Sequence, residues 1–303
     1  MSGLIPLFNA NLLPILITAG LGYLLSRTID LNPKTVSRLT FYLFNPALVF
    51  TVFINSELTS GEIFRMIGFA FTATLSVGLI ALILARLFGF NRKIIIVIVL
   101  TTLLVNAGNY GMSLNEFAYG QEALAYASIF FVTSSIMVNT FGVMIASMGK
   151  TSLGQSLLNI LKFPALYALV IAIILNQTGA TVPLPLDRAI TKLSGATIPT
   201  MLVLLGMQLG RAKMNQNLGA AALAVVVRLL VSPFVAWGLS QPFGLEGAAL
   251  QAGVTEASMP TAVMTTILST EFDLEPELVS TIVTISTLLS PLTLTPLLAF
   301  LGG

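Results

Sequence analysis

Apolar residues fill this chain in ten long runs, and polar residues are confined mostly to the short gaps between them. The runs cover 7–26, 35–54, 64–85, 94–114, 123–147, 160–177, 189–209, 218–238, 247–268 and 278–301. A helix needs about 20 mostly apolar residues to cross a bilayer, and these runs lack the strict two-residue alternation of barrel strands. The pattern predicts ten transmembrane helices. The first run has no basic region before it and no small-residue cleavage site after it, so it reads as a retained span, not a signal peptide.

Composition agrees. Of 303 residues, 56% are apolar and 9% charged, whereas soluble domains carry roughly 25% charged residues. With 14 basic and 12 acidic side chains the chain cannot wet a globular surface, which excludes a soluble enzyme, a nucleic-acid binder and a disordered protein. The net charge of +2 implies no polyanionic partner. The chain has neither Cys nor His, hence no disulfide, thiol or imidazole chemistry and no common zinc site. It reads as an all-α polytopic protein whose partner is the lipid bilayer. Arg27, Lys34, Arg38, Arg86, Arg92, Lys93, Lys150, Lys162, Arg211 and Lys213 flank the odd-to-even connections, against Arg65, Arg188 and Lys192 on the other side. That bias places both termini outside, in what fits a bacterial inner membrane. The acidic stretch Glu271, Asp273, Glu275 and Glu277 falls on the inner side and weighs little in this rule.

The two halves, 1–147 and 148–303, resemble each other. Asn9 to Pro14 answers Asn159 to Pro164, Pro46 answers Pro199, and Asn106 to Gly111 answers Glu256 to Pro260. Five spans per half is an odd number, so the halves must be inverted in the membrane, a transporter signature. Asn106, Gly108, Asn109 and Gly111 interrupt span 4, and Pro260 interrupts span 9. Freed peptide groups survive in lipid only when buried in protein or lining a wet cavity. Two broken helices at matching positions therefore predict a binding site at their crossing, with half-helix N-termini suited to an anion. Pro46 and Pro199 read equally as kinks that shape a site wall or as direct contacts.

Glu256 and Arg228 are the ionisable residues far from span ends. A charge there costs at least about 2.5–3.5 kcal/mol, so each should face the protein interior with a partner. Two readings stand side by side: Glu256 couples transport to a sodium ion or proton, or Glu256 and Arg228 form a structural pair between spans 8 and 9. Thr265, Thr266, Ser286, Thr287 and Ser290 read as helix–helix glue, and Tyr23, Tyr119 and Trp237 as interface anchors. Asp30, Asp187 and Asp273 lie in loops, so an intramembrane aspartyl protease is excluded, and no enzyme reading survives.

Four segments, 43–50, 106–114, 256–261 and 271–281, resemble the auxin efflux carrier family, which includes bacterial members and plant carriers. The likeness implies an inverted five-plus-five fold with crossover helices 4 and 9, as in bile-acid sodium symporters and NhaA-like proteins. It also implies a scaffold (7–54 and 160–209) that forms a homodimer, and a transport domain (64–147 and 218–301) that moves like an elevator. By the same resemblance Asn106 is the crossover Asn that meets the substrate carboxylate and Pro260 the helix 9 crossover Pro. Val49 stands where the plant carriers place a Ser, and Thr74 and Gly78 where they have an acidic residue and a Lys. Glu256 resembles the sodium-binding Glu of the bile-acid symporters.

The resulting expectation is a secondary transporter or facilitator of small organic anions, auxin-like or other carboxylates, with no cofactor beyond Na+ or H+ coupling. Substrate contacts are assigned to Asn106, Gly108, Asn109, Gly111, Met112, Met259, Pro260, Thr261 and Val49, with Met112 and Met259 as an apolar wall. The alternative is a sodium- or proton-coupled symporter of amphipathic anions. From another class, an anion channel or a membrane sensor stays open.

Overall fold

The computed structural model describes residues 3–147, 161–212 and 217–302. Lys150, Asn159, Lys213 and the start of the run at 160 lie outside the described residues. Within them, all regular structure is helical apart from one isolated β-bridge. Seven helices among the described residues are long and apolar enough to cross a membrane: α1 (Leu4–Thr28), α2 (Pro33–Ile54), α3 (Ser60–Leu87), α5 (Ala107–Ala146), α7 (Leu184–Gly210), α8 (Leu218–Ser240) and α11 (Pro276–Leu301). Shorter helices complete the order: α4 (Arg92–Leu103), α6 (Pro164–Thr178), α9 (Gly247–Ala257) and α10 (Met264–Glu271). The chain is a polytopic membrane protein.

The fourth, sixth and ninth predicted spans are not long unbroken helices. Winding stops after Leu103 and resumes at Ala107, and it stops after Ala257 and resumes at Met264. The sixth is described only from Leu161 onward. The fourth and fifth spans join in α5, which bends at Gly120; its φ of 79° and ψ of −161° lie where a side chain is strained.

Prolines leave a local mark. Leu13, Asn45 and Ser232 each precede a proline, and each donates its amide to the carbonyl five residues back, on Phe8, Thr40 and Val227. Proline lacks an amide and its ring crowds the preceding turn, so that turn widens into a π-turn. Pro199, by contrast, sits inside an α7 that stays α-helical. The two positions matched by sequence thus differ in local geometry.

α1 packs against α7, α6 against α2, and α2 also against α7. A second group is formed by α5 on α9, α3 on α4 and α5, and α8 on α3, α4, α9 and α11. Between α1 and α7 the backbones touch. A Cβ on Gly22 would overlap the Val203 carbonyl, one on Gly206 the Ala19 carbonyl, and one on Gly210 the Ser26 hydroxyl. In lipid, where apolar burial gives little drive, such close approach supplies the dispersion energy that holds helices together. Lys93 at the start of α4 pairs with Glu275 at 3.3 Å and Asp273 at 3.9 Å, so the acidic stretch before α11 finds its cation.

Gly206→Ala is expected to destabilise the protein by ~1–3 kcal/mol through overpacking, seen as a lower thermal midpoint in detergent. Gly195→Ala, whose Cβ meets nothing within 4 Å, does not lower the midpoint and raises it slightly through helix propensity.

Candidate functional site

The two interrupted helices meet at their breaks. Val105 and Thr261 form an antiparallel bridge; Asn106 donates its amide to the Pro260 carbonyl at 2.9 Å, and Ala262 donates to the Leu104 carbonyl at 2.8 Å. Each break thus supplies the partners that the other has lost, which meets the demand that no peptide group be left unpaired in hydrocarbon. Side chains complete the set. The Thr261 amide donates to Ser286 Oγ at 3.2 Å, and its hydroxyl donates to the Thr101 carbonyl at 2.8 Å. Ser286 is therefore part of the crossing as well as glue.

Helices α5 and α10 both begin at the crossing, and their first turns line a cleft of about 140 Å³. Asn106, Gly108 and Asn109 border it from one break, and Val263, Met264 and Ile267 from the other. The facing wall comes from Phe41 and Asn45 of α2 and Met201 and Gln208 of α7, with Phe131 and Ser134 of α5 closing one side. The cleft shares Ser37, Phe41, Gln208 and Met264 with a vestibule of about 1170 Å³ whose lining includes the cations Lys34, Arg38, Lys162 and Arg211 and the carboxylates Glu271 and Glu277. No described cleft residue is ionisable by type as Asp, Glu, Lys or Arg. The two helix N-termini that border it contribute about +0.5 charge each.

Four buried polar atoms on this lining have no hydrogen-bond partner among the described residues: Asn106 Nδ2, Asn45 Oδ1, Ser134 Oγ and Gln208 Oε1. Buried polar groups are normally satisfied, so a row of orphans around one cleft marks the place of a polar solute or water.

Glu256 and Arg228 are both buried, but they do not form an ion pair with each other. Ion pairs among the described residues join Lys93 to Asp273 and Glu275 and Arg211 to Asp30, and neither Glu256 nor Arg228 takes part. They point to different helices. Glu256 Oε1 accepts from Asn115 Nδ2 on α5 at 3.1 Å, while its Oε2 and Asn115 Oδ1 lack partners among the described residues. Arg228 donates to main-chain carbonyls of the two crossing helices.

Of the residues assigned from sequence, Asn106, Gly108 and Asn109 border the cleft. Val49, Gly111, Met112, Met259, Pro260 and Thr261 do not; all are buried in the packed interior behind it. Met112 and Met259 are core residues in place of an apolar wall. Gly111 makes room for Glu256, because a Cβ there would overlap the carboxylate. Gly108 admits the Phe131 ring, whose edge would stand 2.8 Å from a Cβ. Tyr119 is partly buried with its hydroxyl enclosed, so it is not an interface anchor. Sequence reasoning missed Asn45, Ser134 and Gln208. Asn45 and Gln208 carry amides within apolar runs, and that was the available signal.

A family model described as membrane transport protein matches residues 8–153 and 148–298. An uncharacterized transporter of Methanothermobacter thermautotrophicus is 29% identical over 288 residues, covering 92% of this chain and 94% of that protein. An uncharacterized transporter of Methanocaldococcus jannaschii is 26% identical over 270 residues, covering 86% of each chain.

Gly111→Ala is expected to displace the Glu256 carboxylate and destabilise the protein by ~1–3 kcal/mol. Adding Glu256→Ala clears the overlap, so the double variant should melt above Gly111→Ala alone, a non-additivity that a double-mutant cycle measures.

Proposed function

The chain belongs to the membrane transport protein family of auxin efflux carrier-like proteins, and on that premise we propose that it is a secondary transporter of small organic anions bearing a carboxylate. The observation that carries this reading is the convergence of two half-helix N-termini on an uncharged, partly unsatisfied cleft at the crossing of the breaks. Asn106 Nδ2 and the first amides of α5 and α10 would hold the carboxylate, and Phe41, Phe131, Met201 and Ile267 would cover its apolar body. Two N-termini supply about one unit of positive charge together, which favours one carboxylate at a time over two.

The same architecture supports a transport path. We read the chain as ten membrane passages in two inverted halves, divided near 147, with the vestibule open to the cytoplasmic side where Lys34, Arg38, Lys162 and Arg211 stand. The grouping of α1, α2, α6 and α7 apart from the remaining helices supports a scaffold and a moving domain, since the cleft lies between the two groups. Elevator-like motion of the second group would expose the cleft on the other side. A homodimer through the scaffold completes this reading.

A second reading adds coupling. Among the described residues, Glu256 Oε2, close to the end of α9, and Asn115 Oδ1, about two turns into α5, are unpartnered oxygens on facing helices. Oxygen donors of this kind suit a sodium ion or a proton rather than a transition metal. Coupling at Glu256 would make it part of the transport cycle without touching the anion.

In a thermal-shift screen with and without sodium, a carboxylic acid is expected to raise the midpoint of the wild-type chain by mass action, and Asn106→Ala should erase that rise. Retention of the full shift in Asn106→Ala would move the anion elsewhere. Saturable counterflow in proteoliposomes is the result expected of a carrier; a channel shows none, and a sensor moves nothing. Glu256→Gln should abolish the sodium or pH dependence of that counterflow. Unchanged rates and ion dependence would leave Glu256 with a structural role only.

A further inference from the structure

Arg228 is the largest fully buried side chain among the described residues, and no described carboxylate pairs with it. Its Nη1 donates to the Thr102 carbonyl at 2.7 Å. Its Nη2 donates to the Ala257 carbonyl and to Ser232 Oγ, the latter at 2.6 Å. Ser232 in turn donates to the same Ala257 carbonyl at 2.6 Å. Thr102 stands in the last turn of α4 and Ala257 is the last residue of α9. One guanidinium therefore bonds the C-terminal ends of both helices that stop at the crossing.

Electrostatics favour that position. Each helix C-terminus carries about −0.5 charge in its unpaired carbonyls, so the two ends together offset about one cation. The sequence of α8 delivers the side chain there. Pro233 widens the preceding turn into the π-turn Val227–Val231, and Arg228 lies in that turn, four residues before the Ser232 hydroxyl that it also holds. Arg228 is absent from the cleft lining, so it does not touch a solute there.

We propose that Arg228 is a positioning residue that ties the ends of α4 and α9 into one body, so that the N-termini of α5 and α10 stay convergent on the cleft. This rests on the reading of the cleft as an anion site only for the purpose of the convergence; the tie itself does not. A guanidinium presents separate donors in a fixed plane and spans two carbonyls, whereas an ammonium is a point charge on a flexible stem. The fork, and not the charge alone, does the tying.

The test is hydrogen exchange of the purified full chain without any solute, comparing wild type, Arg228→Lys and Arg228→Met. Arg228→Lys is expected to speed exchange at 104–112 and 258–264 by about tenfold or more, as loss of a charged hydrogen bond implies, with exchange in α1 and α7 unchanged. Arg228→Met should act in the same direction and more strongly; if it does not fold, Arg228→Lys decides. In counterflow, Arg228→Lys should raise KM about tenfold while largely keeping the maximal rate, because fewer molecules hold the competent arrangement. Wild-type exchange at the crossing in Arg228→Lys would overturn the proposal, and so would a uniform rise that includes α1 and α7. If the crossing loosens as expected but no carboxylate binds the wild type, the tie stands and the anion reading fails.

Discussion

Every other feature of the site depends on how peptide groups are paired where two helices stop inside the apolar layer. A broken helix leaves unpaired amides on one side of the gap and unpaired carbonyls on the other, and lipid cannot hydrogen-bond either. Here the gaps at 104–106 and 258–263 are placed against each other, and the strand-like bridge between Val105 and Thr261 turns two deficits into one short ladder. Thr261, Ser286 and Thr101 absorb what the ladder leaves over. A single break at this depth would have no such partner, which is a physical reason for having two.

The same geometry sorts charge. Both carbonyl-rich ends meet the Arg228 guanidinium, and both amide-rich ends meet the cleft. The cleft therefore gains positive potential without a lysine or arginine in its lining. On the proposed reading of the cleft as an anion site, dipoles suit a carrier that must release as well as bind: they attract an anion less strongly than a full buried cation would, and they need no counter-ion. Glu256 is held apart from this arrangement, beside Asn115 and in the space left by Gly111.

Much of this was legible in the residues. Asn106, Gly108 and Pro260 announced the breaks because their conformational and donor deficits are local properties, and the apolar runs announced the helices because span length is set by bilayer thickness. The packing partners were not. Asn45, Ser134 and Gln208 look like stray polar residues until α2, α5 and α7 bring them around one cavity. Gly111 looked like a substrate contact, and it is in fact the room for a carboxylate some 145 residues away in the chain. Pro46 reads as a kink from sequence, while the widened turns before Pro14, Pro46 and Pro233 are read only from the backbone.

The sequence by itself determined that this is a membrane-embedded helical chain, where its winding would fail, and which two charges would need shelter, because each of these follows from local composition and the cost of polarity in lipid. Only the tertiary structure decided what shelters those charges. Glu256 and Arg228, which proximity in the sequence of spans invited as a pair, take different partners: one an amide side chain, the other two helix ends. Partner choice depends on which groups are left unsatisfied once the helices have packed, and that is a property of distances between segments far apart along the chain.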